Sequence, residues 1–275
     1  MKTTSRLFIA LTTMLLLFSN SVFSQDEAPK GPQYITVTTM HWNMDYEDFS
    51  MDEWKAVEKE YLDKVTMKNE FIIGASFFLH LYTTDNTELV YVQSYANWED
   101  IDKAGDRNGE LAEAAWPDDE TRAAFFKKRG AYYSDYHSDE INATLPGAKI
   151  LSEATTEDLV CYVRRSHFAF PENGSQKEFN ELRIEAVENV IHKNEYIKAY
   201  YPSVHAWGSD RREFVEAFFV NSLADLEKMQ DRSGELFEAH WPDEEARKER
   251  SEIMGKYFTG FHGDYIYTFV AGLSK

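Results

Sequence analysis

The chain repeats itself, and this internal repeat limits its fold more than any other feature of the sequence. When the sequence is compared with itself at an offset of 125 residues, residues 51–141 match residues 176–266 without a gap, and 30 of the 91 positions are identical. Chance alone would give about one identity in fifteen positions. Self-similarity of this extent is typical of one structural unit that occurs twice in a chain.

The repeat predicts two units joined by a linker. A change of the offset by one residue, from 125 to 126, aligns His41 with His167, so the repeat extends upstream of the ungapped match. Pro146, Gly147 and several Ser and Thr residues between the units are typical of a linker. The predicted boundaries are 25–33 for an N-terminal tail, 34–141 for the first unit, 142–158 for the linker and 159–275 for the second unit.

The first residues are typical of a secretory signal peptide. Lys2 and Arg6 precede the apolar run from Leu7 to Phe18, and small or permissive residues follow it up to Ser24. The apolar run is too short to cross a membrane comfortably. We therefore predict that residues 1–24 are removed, that the mature protein is secreted or periplasmic, and that it does not insert into a membrane.

Charge and cysteine content exclude two classes of function. The chain has 29 Lys and Arg residues against 48 Asp and Glu residues, which gives a formal net charge of -19. Phosphate backbones would repel such a chain, so no nucleic-acid partner is expected. Cys161 is the one cysteine, which excludes an intrachain disulfide and a cysteine-based zinc site.

The hydrophobic pattern predicts the same order of elements in each half. Gly105 and Gly109 are expected to divide the helical segment over 97–115, and Pro117 is typical of a helix start. In the first half the predicted elements are a strand over 34–41, a helix over 51–67, a hairpin formed by 71–82 and 89–95, a helical segment over 97–115, an extra helix that ends at 130, and a strand over 131–141. This order is a ferredoxin-like βαββαβ unit with an extra helix, an α+β fold.

A chain with two such units resembles the dimeric α/β-barrel superfamily, here within one chain. The resemblance is strongest from Trp54 to Tyr82 and in the aromatic hairpin strand from Leu89 to Tyr95. It implies that two four-stranded sheets form one barrel, in which the last strand of each unit approaches the second strand of the other. The superfamily includes monooxygenases of aromatic compounds, haem-degrading and haem-dependent enzymes, isomerases and stress-response proteins, so the fold does not select a function.

Six of the eight histidines fall into three pairs across the repeat, all on predicted strands. The pairs are His41 with His167, His80 with His205, and His137 with His262. Asp139 and Asp264 each follow the last pair by two residues, so each lies on the same strand face as its histidine. A His-x-Asp pair can serve as a general base, orient an imidazole or ligate a metal. A purely structural role for these histidines is the alternative.

The predicted barrel suggests which histidines meet. Its strand order brings His137 towards His205 and His262 towards His80, and these four residues are the candidate metal ligands. In the catalytic alternative, His137 or His262 acts as the base with Asp139 or Asp264, and Tyr132 or Tyr257 orients a substrate.

Aromatic residues on the strands suggest a pocket for a flat apolar molecule. The candidate ligand-binding residues are His41, His167, Tyr91 and Trp207. Aromatic residues are also ordinary core residues of strands, which is the alternative. Tyr91 corresponds to Glu216 in the second half, so the two halves differ at an interior position and one pocket can have become structural.

Three functions remain open at this point. The first is an exported binding protein for a small aromatic or apolar molecule, with or without cofactor-free monooxygenase-type catalysis. The second is a non-catalytic interaction module with a packed barrel, and the third is a histidine-based metal-binding protein. No cofactor is expected. A metal or a haem is the alternative: the resemblance implies a helix histidine as the iron ligand of a haem, for which His240 is available, but Ala115 stands at the matching place. The protein could be a monomer or a homo-oligomer.

Overall fold

Eight β-strands and six α-helices account for most of the residues that the computed structural model describes, 31–151 and 155–275. The first half contains β1 (Tyr34–Trp42), α1 (Met51–Lys64), β2 (Gly74–Tyr82), β3 (Glu88–Tyr95), α2 (Glu99–Ala115), α3 (Asp119–Gly130) and β4 (Tyr133–Thr144). The second half contains β5 (Leu159–Phe168), α4 (Gln176–Ala186), β6 (Ala199–Trp207), β7 (Glu213–Val220), α5 (Leu223–His240), α6 (Glu244–Gly255) and β8 (Phe258–Phe269). The two halves therefore have the same element order.

The eight strands close into one barrel in the order β1-β3-β2-β8-β5-β7-β6-β4. Within the first half this order is β4-β1-β3-β2, and within the second it is β8-β5-β7-β6, which is the ferredoxin-like arrangement. Two antiparallel seams join the halves, β2 with β8 and β4 with β6. The predicted fold is confirmed: two ferredoxin-like units, each with an extra helix (α3 and α6), form one α/β barrel within the chain.

Alternate residues of each strand point to opposite sides of the barrel wall. The inner set forms one apolar core with members from both halves: Val37, Val90, Leu159, Cys161, Ala199, Phe219, Tyr267 and Phe269. The outer set packs against the helices, as Phe77 and Leu89 do against Trp54 of α1. This part of the barrel interior is therefore filled by side chains, and the sites with space lie elsewhere.

Matching residues begin the helices in the two halves. The Ser50 hydroxyl accepts a hydrogen bond from the Glu53 amide at the start of α1, and Ser175 does the same for Glu178 at the start of α4. Such side-chain caps stabilise a helix by about 1 kcal/mol each. The caps fix where the helices start, and thus the length of the segments between β1 and α1 and between β5 and α4.

Two local expectations differ from the structure. Gly105 and Gly109 do not divide the helical segment, because α2 continues without a break from Glu99 to Ala115. A glycine inside a helix costs about 1 kcal/mol relative to alanine. The buried Leu111 and Ala112 of the same helix pack against Val65 and Trp116 and offset this cost. Strand β4 also extends three residues into the predicted linker, because Thr144 still pairs with Ser203 of β6.

The predicted signal peptide, residues 1–24, lies outside the described residues. Within the residues that the structure describes, no helix has the length and apolar character needed to cross a membrane.

The halves differ most clearly in their buried polar groups beneath the first helix of each. In the first half the α1 residue Glu58 is buried and bound by Arg129, whereas α4 carries Arg183 at the matching place. In the second half Tyr200 donates a hydrogen bond of 2.6 Å to Glu216, whose pKa burial raises above its ordinary value. Glu216, which stands where the first half has Tyr91, therefore belongs to a polar contact that the first half does not share.

Candidate functional site

A cleft of about 500 Å³ opens on the second half. It lies between α4, the segment 169–175 and the ends of β5, β6 and β7. Its apolar lining consists of Leu145, Phe168, Phe170, Pro171, Phe179, Val204 and Tyr257, and its polar lining of Ser175, Gln176, Asn180, His205, Arg211 and Glu213. Clefts of about 300–1,000 Å³ with mostly apolar walls and a few polar groups are typical of small-molecule sites.

Aromatic rings form the walls of this cleft. The Phe168 ring centre lies 5.3 Å from that of Phe179 and 5.7 Å from that of Phe170. Phe179 in turn lies 5.4 Å from Tyr257. These separations are in the range at which aromatic rings attract each other, so the walls are held by mutual packing. A flat apolar molecule would find ring faces and edges on several sides.

Phe170 is held in a strained conformation at the mouth of the cleft. Among the described residues it alone, apart from glycines, has a positive φ, at 49°. A side chain with a Cβ atom pays about 1–2 kcal/mol for this left-handed conformation. The ring gains little burial in return, because Phe170 is 59% exposed. Strain of this kind, kept without an evident gain in packing, concentrates at functional sites.

The corresponding region of the first half is filled. Trp42 and Trp54 stand where the second half has Phe168 and Phe179, and their ring centres are 5.1 Å apart. Between them and Tyr132, the segment 43–50 inserts two further aromatic side chains. Phe49 lies 5.3 Å from Trp42 and 5.7 Å from Tyr132, and Tyr46 lies 5.1 Å from Tyr132.

The second half lacks these two inserted rings. Gly174 occupies the position of Phe49, and a Cβ atom there would lie 2.7 Å from the Pro171 ring and 2.8 Å from the Tyr257 ring. The shorter segment 169–175 therefore packs closely on Tyr257 itself and leaves the space above Phe168 open. The same fold thus gives a closed aromatic cluster in one half and an open cleft in the other.

One end of the cleft is polar and continues into the barrel. His205 follows Val204 on β6 and Glu213 precedes Phe214 on β7, so the two residues are neighbours just beyond the last registered pair of these strands, and both line the cleft. Arg165 Nη1 lies 3.2 Å from Glu213 Oε2 and 3.1 Å from Glu140 Oε2, which joins the two halves. Burial, together with the charge of Glu140, raises the pKa of Glu213 although Arg165 opposes the shift.

His205 is available to a bound molecule. Within residues 31–151 and 155–275, no protein group makes a hydrogen bond with its ring. Its counterpart His80 differs, because His80 Nδ1 lies 2.8 Å from the Thr83 hydroxyl. An imidazole beside a carboxylate at the end of an apolar cleft can accept a proton from a ligand or donate a hydrogen bond to it.

The predicted His-x-Asp pairs form, but outside the cleft. His137 Nε2 lies 3.5 Å from Asp139 Oδ2, and His262 Nε2 lies 3.3 Å from Asp264 Oδ2. Both histidine side chains are about half exposed, at 55% and 47%. Neither pair belongs to the residues that line the cleft.

The two predicted substrate-orienting tyrosines have different surroundings. Tyr132 is fully buried in the first half, and its hydroxyl has no hydrogen-bond partner among the described residues. Tyr257 lines the cleft with its ring, but its hydroxyl donates to the Glu178 carboxylate and accepts from the Ser175 amide at 3.0 Å. Tyr257 therefore offers a ligand its ring more than its hydroxyl.

The expected cross-half meeting of histidines is wrong, although the strands pair as predicted. On the β4–β6 seam His205 is opposite Asn142, five residues from His137. On the β2–β8 seam His80 is opposite Tyr267, five residues from His262. Five residues of a strand span about 16 Å, too far for shared ligation. In the described part of the chain, no three His, Cys, Asp or Glu side chains are placed to hold a metal ion.

The four predicted ligand-binding residues lie outside the cleft. His41 and His167 have matching environments: each Nε2 is 3.4 Å from an aspartate, Asp85 and Asp210 respectively. Tyr91 packs on Phe77 with ring centres 4.5 Å apart, and Trp207 is 67% exposed at the end of β6. Their predicted role in the ligand site therefore has no support from the cleft geometry.

A haem bound by a helix histidine does not fit this arrangement. His240 is the last residue of α5, where its Nε2 lies 3.4 Å from Glu185 Oε1 and its ring packs against Trp241 at 4.3 Å. It does not line the cleft. Among the residues that line the cleft, none is a helix histidine that could hold such a haem.

Comparisons with known proteins identify the fold. No family model matches the sequence, and no curated protein matches it either. A solved structure of a protein assigned as a monooxygenase, from Fusobacterium nucleatum subsp. nucleatum, is similar with a TM-score of 0.54 and 12% identity, over 87% of this chain and 92% of that chain. Another assigned monooxygenase, from Lactobacillus acidophilus, has a TM-score of 0.50 and 8% identity, over 87% and 93%.

A chlorite dismutase from Candidatus Nitrospira defluvii, in complex with imidazole, has a TM-score of 0.51 and 12% identity, over 88% of this chain and 92% of that chain. These structures have the dimeric α/β-barrel fold, and the likeness extends over nearly the whole described chain. At such low identities it shows a common fold and leaves the activity to the residues of the site.

Proposed function

We propose that this protein binds a flat, largely apolar small molecule in the cleft of its second half. The observation that carries the proposal is the contrast between the halves, because the aromatic cluster that closes the first half is opened in the second. Apolar walls left open to water forgo roughly 25 cal/mol for each Å² that packing would bury, so random divergence would be expected to close such a space. The strained, exposed Phe170 at the mouth supports the same conclusion.

Monooxygenase-type chemistry without a cofactor is the catalytic form of this proposal. It is supported by His205, which is free to accept a proton from a bound molecule beside Glu213. For a substrate with an acidic CH₂ group, removal of a proton gives a carbanion that dioxygen can oxidise. One oxygen atom then enters the product as a carbonyl and the other leaves as water, so CH₂ and O₂ give C=O and H₂O.

We further propose that the binding protein acts outside the cytoplasm and that its halves derive from one duplicated unit. The signal-like sequence of residues 1–24 supports export, and 30 identities in 91 aligned positions support duplication. Detection of the mature protein in the periplasmic or culture-medium fraction, with its N-terminus after Ser24, would test the export. Retention of the full chain in the cytoplasm would contradict it.

Replacing Phe170 by Asn separates binding from stability. Asparagine tolerates the left-handed conformation better than phenylalanine. The Phe170→Asn variant should therefore be as stable as the wild type or more stable by about 1 kcal/mol. It should bind the neutral fluorescent dye N-phenyl-1-naphthylamine about fivefold to tenfold more weakly, because one wall of the cleft is lost. Dye titration and chemical unfolding measure the two effects.

Phe261→Asn is the matched control for this experiment. Phe261 is similarly exposed, at 65%, and lies outside the cleft lining, so this variant should bind the dye as the wild type does. If the wild type shows no saturable dye site, or if both variants weaken the dye equally, the cleft is not the binding site.

Replacing His205 by Ala tests the catalytic form. Anthrone is a suitable probe, because its acidic CH₂ group lies between two fused aromatic rings. We expect His205→Ala to reduce protein-dependent dioxygen uptake with anthrone about a hundredfold, the usual contribution of a general base, with little change in dye binding. His80→Ala, the equivalent change in the first half, should have no effect. If the wild type adds nothing to spontaneous oxidation, the protein binds but does not catalyse this chemistry.

A further inference from the structure

We propose that the molecule bound in the cleft is an organic anion, with an apolar aromatic body and an acidic group that pairs with Arg211. This inference rests on the proposed function and names the ligand class of the same site. The cleft is lined by Arg211 at the β6–β7 turn, where the guanidinium centre lies 6.0 Å from the Phe170 ring centre. A ligand stacked on Phe170 would bring an attached acidic group within reach of that guanidinium.

Arg211 has no acidic partner in the described residues, whereas its neighbours do. Arg212 donates to Asp210 at 3.0 and 2.8 Å and holds the pKa of that carboxyl well below its usual range. The next carboxylate, Glu213, is bound by Arg165 at 3.2 Å. An exposed arginine usually finds a carboxylate in a chain with 48 acidic and 29 basic residues. Arg211 is held apart from these pairs and faces the cleft.

A further basic group near the cleft, Lys256, is committed to a different partner. Lys256 Nζ lies 2.6 Å from Glu178 Oε2, and this carboxylate also accepts from the Tyr257 hydroxyl. Lys256 is therefore neutralised, and the charge available to a ligand comes from Arg211. The first turn of α4 adds to it, because Ser175 and Gln176 line the cleft at the positive end of the helix dipole.

The first half carries no such charge. Asn86 occupies the position of Arg211 in the first half, where Phe49 and Tyr46 pack on Tyr132 and close the aromatic cluster. The guanidinium of Arg211, which has no acidic partner among the described residues, and the open cleft thus occur together in the second half, and the first half has neither. This coincidence is expected if the two features serve one ligand. The formal charge of -19 would repel anions in general, so Arg211 would select them at this one place.

Two dyes that differ by one acidic group test the inference. 8-Anilinonaphthalene-1-sulfonate carries a sulfonate, and N-phenyl-1-naphthylamine has the same ring system without it. We expect the wild-type protein to bind the sulfonate dye about tenfold more tightly, the usual gain from one charge-assisted pair. Arg211→Gln should abolish this preference, so that the variant binds the two dyes with equal affinity.

Lys248→Gln is the control for net charge. Lys248 lies on α6, is 78% exposed and does not line the cleft, so its loss should leave both affinities unchanged. Equal binding of the two dyes by the wild type, or a preference that survives in Arg211→Gln, would overturn the anionic ligand while the cleft remained a site for neutral molecules. If neither dye saturates a single site, the proposed function itself fails.

Discussion

Ligand binding should be lost when the second half is given the segment that closes the first. In this variant residues 43–50 replace residues 169–175, so that Tyr46 and Phe49 enter the cleft. The tyrosine on which both rings pack has an identical counterpart, Tyr257, and the serine caps at the two helix starts also match. We expect the affinity for N-phenyl-1-naphthylamine to fall about a hundredfold, because the two rings occupy the space of the dye.

The same transplanted segment with Tyr46 and Phe49 replaced by Ala is the control. It has the new length and backbone and leaves the cleft open, but it also lacks Phe170. We therefore expect it to bind the dye about fivefold to tenfold more weakly than the wild type, as Phe170→Asn does, and still about tenfold more tightly than the segment with both rings. Near-ultraviolet circular dichroism would show that both variants are folded. If the aromatic and alanine segments reduce binding equally, the backbone of the segment matters and the filling of the cleft does not.

Replacing Arg129 by Met should lower the free energy of unfolding by about 3–5 kcal/mol, the usual cost of leaving one partner of a buried ion pair alone. The side chain of Glu58 is 1% exposed, and Arg129 binds both of its carboxylate oxygens, at 2.8 and 3.0 Å. Tyr133 donates a further bond of 2.7 Å to Glu58 and accepts one of 2.8 Å from Trp54. Without Arg129 the carboxylate would be buried with neutral donors only.

Lys128→Met is the control for this prediction. Lys128 precedes Arg129 on α3, and its pair with Glu53 is exposed, with 50% and 61% side-chain exposure. Its loss should leave the free energy of unfolding close to that of the wild type, because exposed ion pairs contribute little to stability. The double variant Glu58→Leu with Arg129→Met should recover much of the stability, because no unpaired charge remains. Denaturant unfolding measures all three, and a cost below about 1 kcal/mol for Arg129→Met would contradict a buried ion pair.

The fold was predictable because the same pattern of helices and strands occurs in both halves of the sequence. A helix or hairpin that is ambiguous in one half can be identified from the other, so the repeat gave the element order. The pairing of β2 with β8 and of β4 with β6 came from the resemblance to the dimeric α/β-barrel superfamily. The errors are local. Gly105 and Gly109 are common helix breakers in isolation, but packing of Leu111 and Ala112 overrides that tendency.

The site was predicted only in part, because it depends on what differs between the halves. Identity across the repeat drew attention to the histidines, and of these only His205 lines the cleft, together with Tyr257. Glu213, identical to Glu88 in the other half, could have been found by the same signal. Phe170 and Arg211 could not, since an unusual backbone angle and an unpaired guanidinium are properties of the folded chain. Strand register likewise decided that His137 and His205 do not meet.

The two seams of the barrel, β2 with β8 and β4 with β6, have a consequence for how such a protein can change. If the same barrel were built from two identical polypeptides, every substitution would occur in both, and a cleft could not be opened on one side and sealed on the other. Within one polypeptide each side mutates alone. The closed half can then be selected for stability and the open half for ligand binding. Stability and binding usually compete within a single site, and here they are separated between two halves.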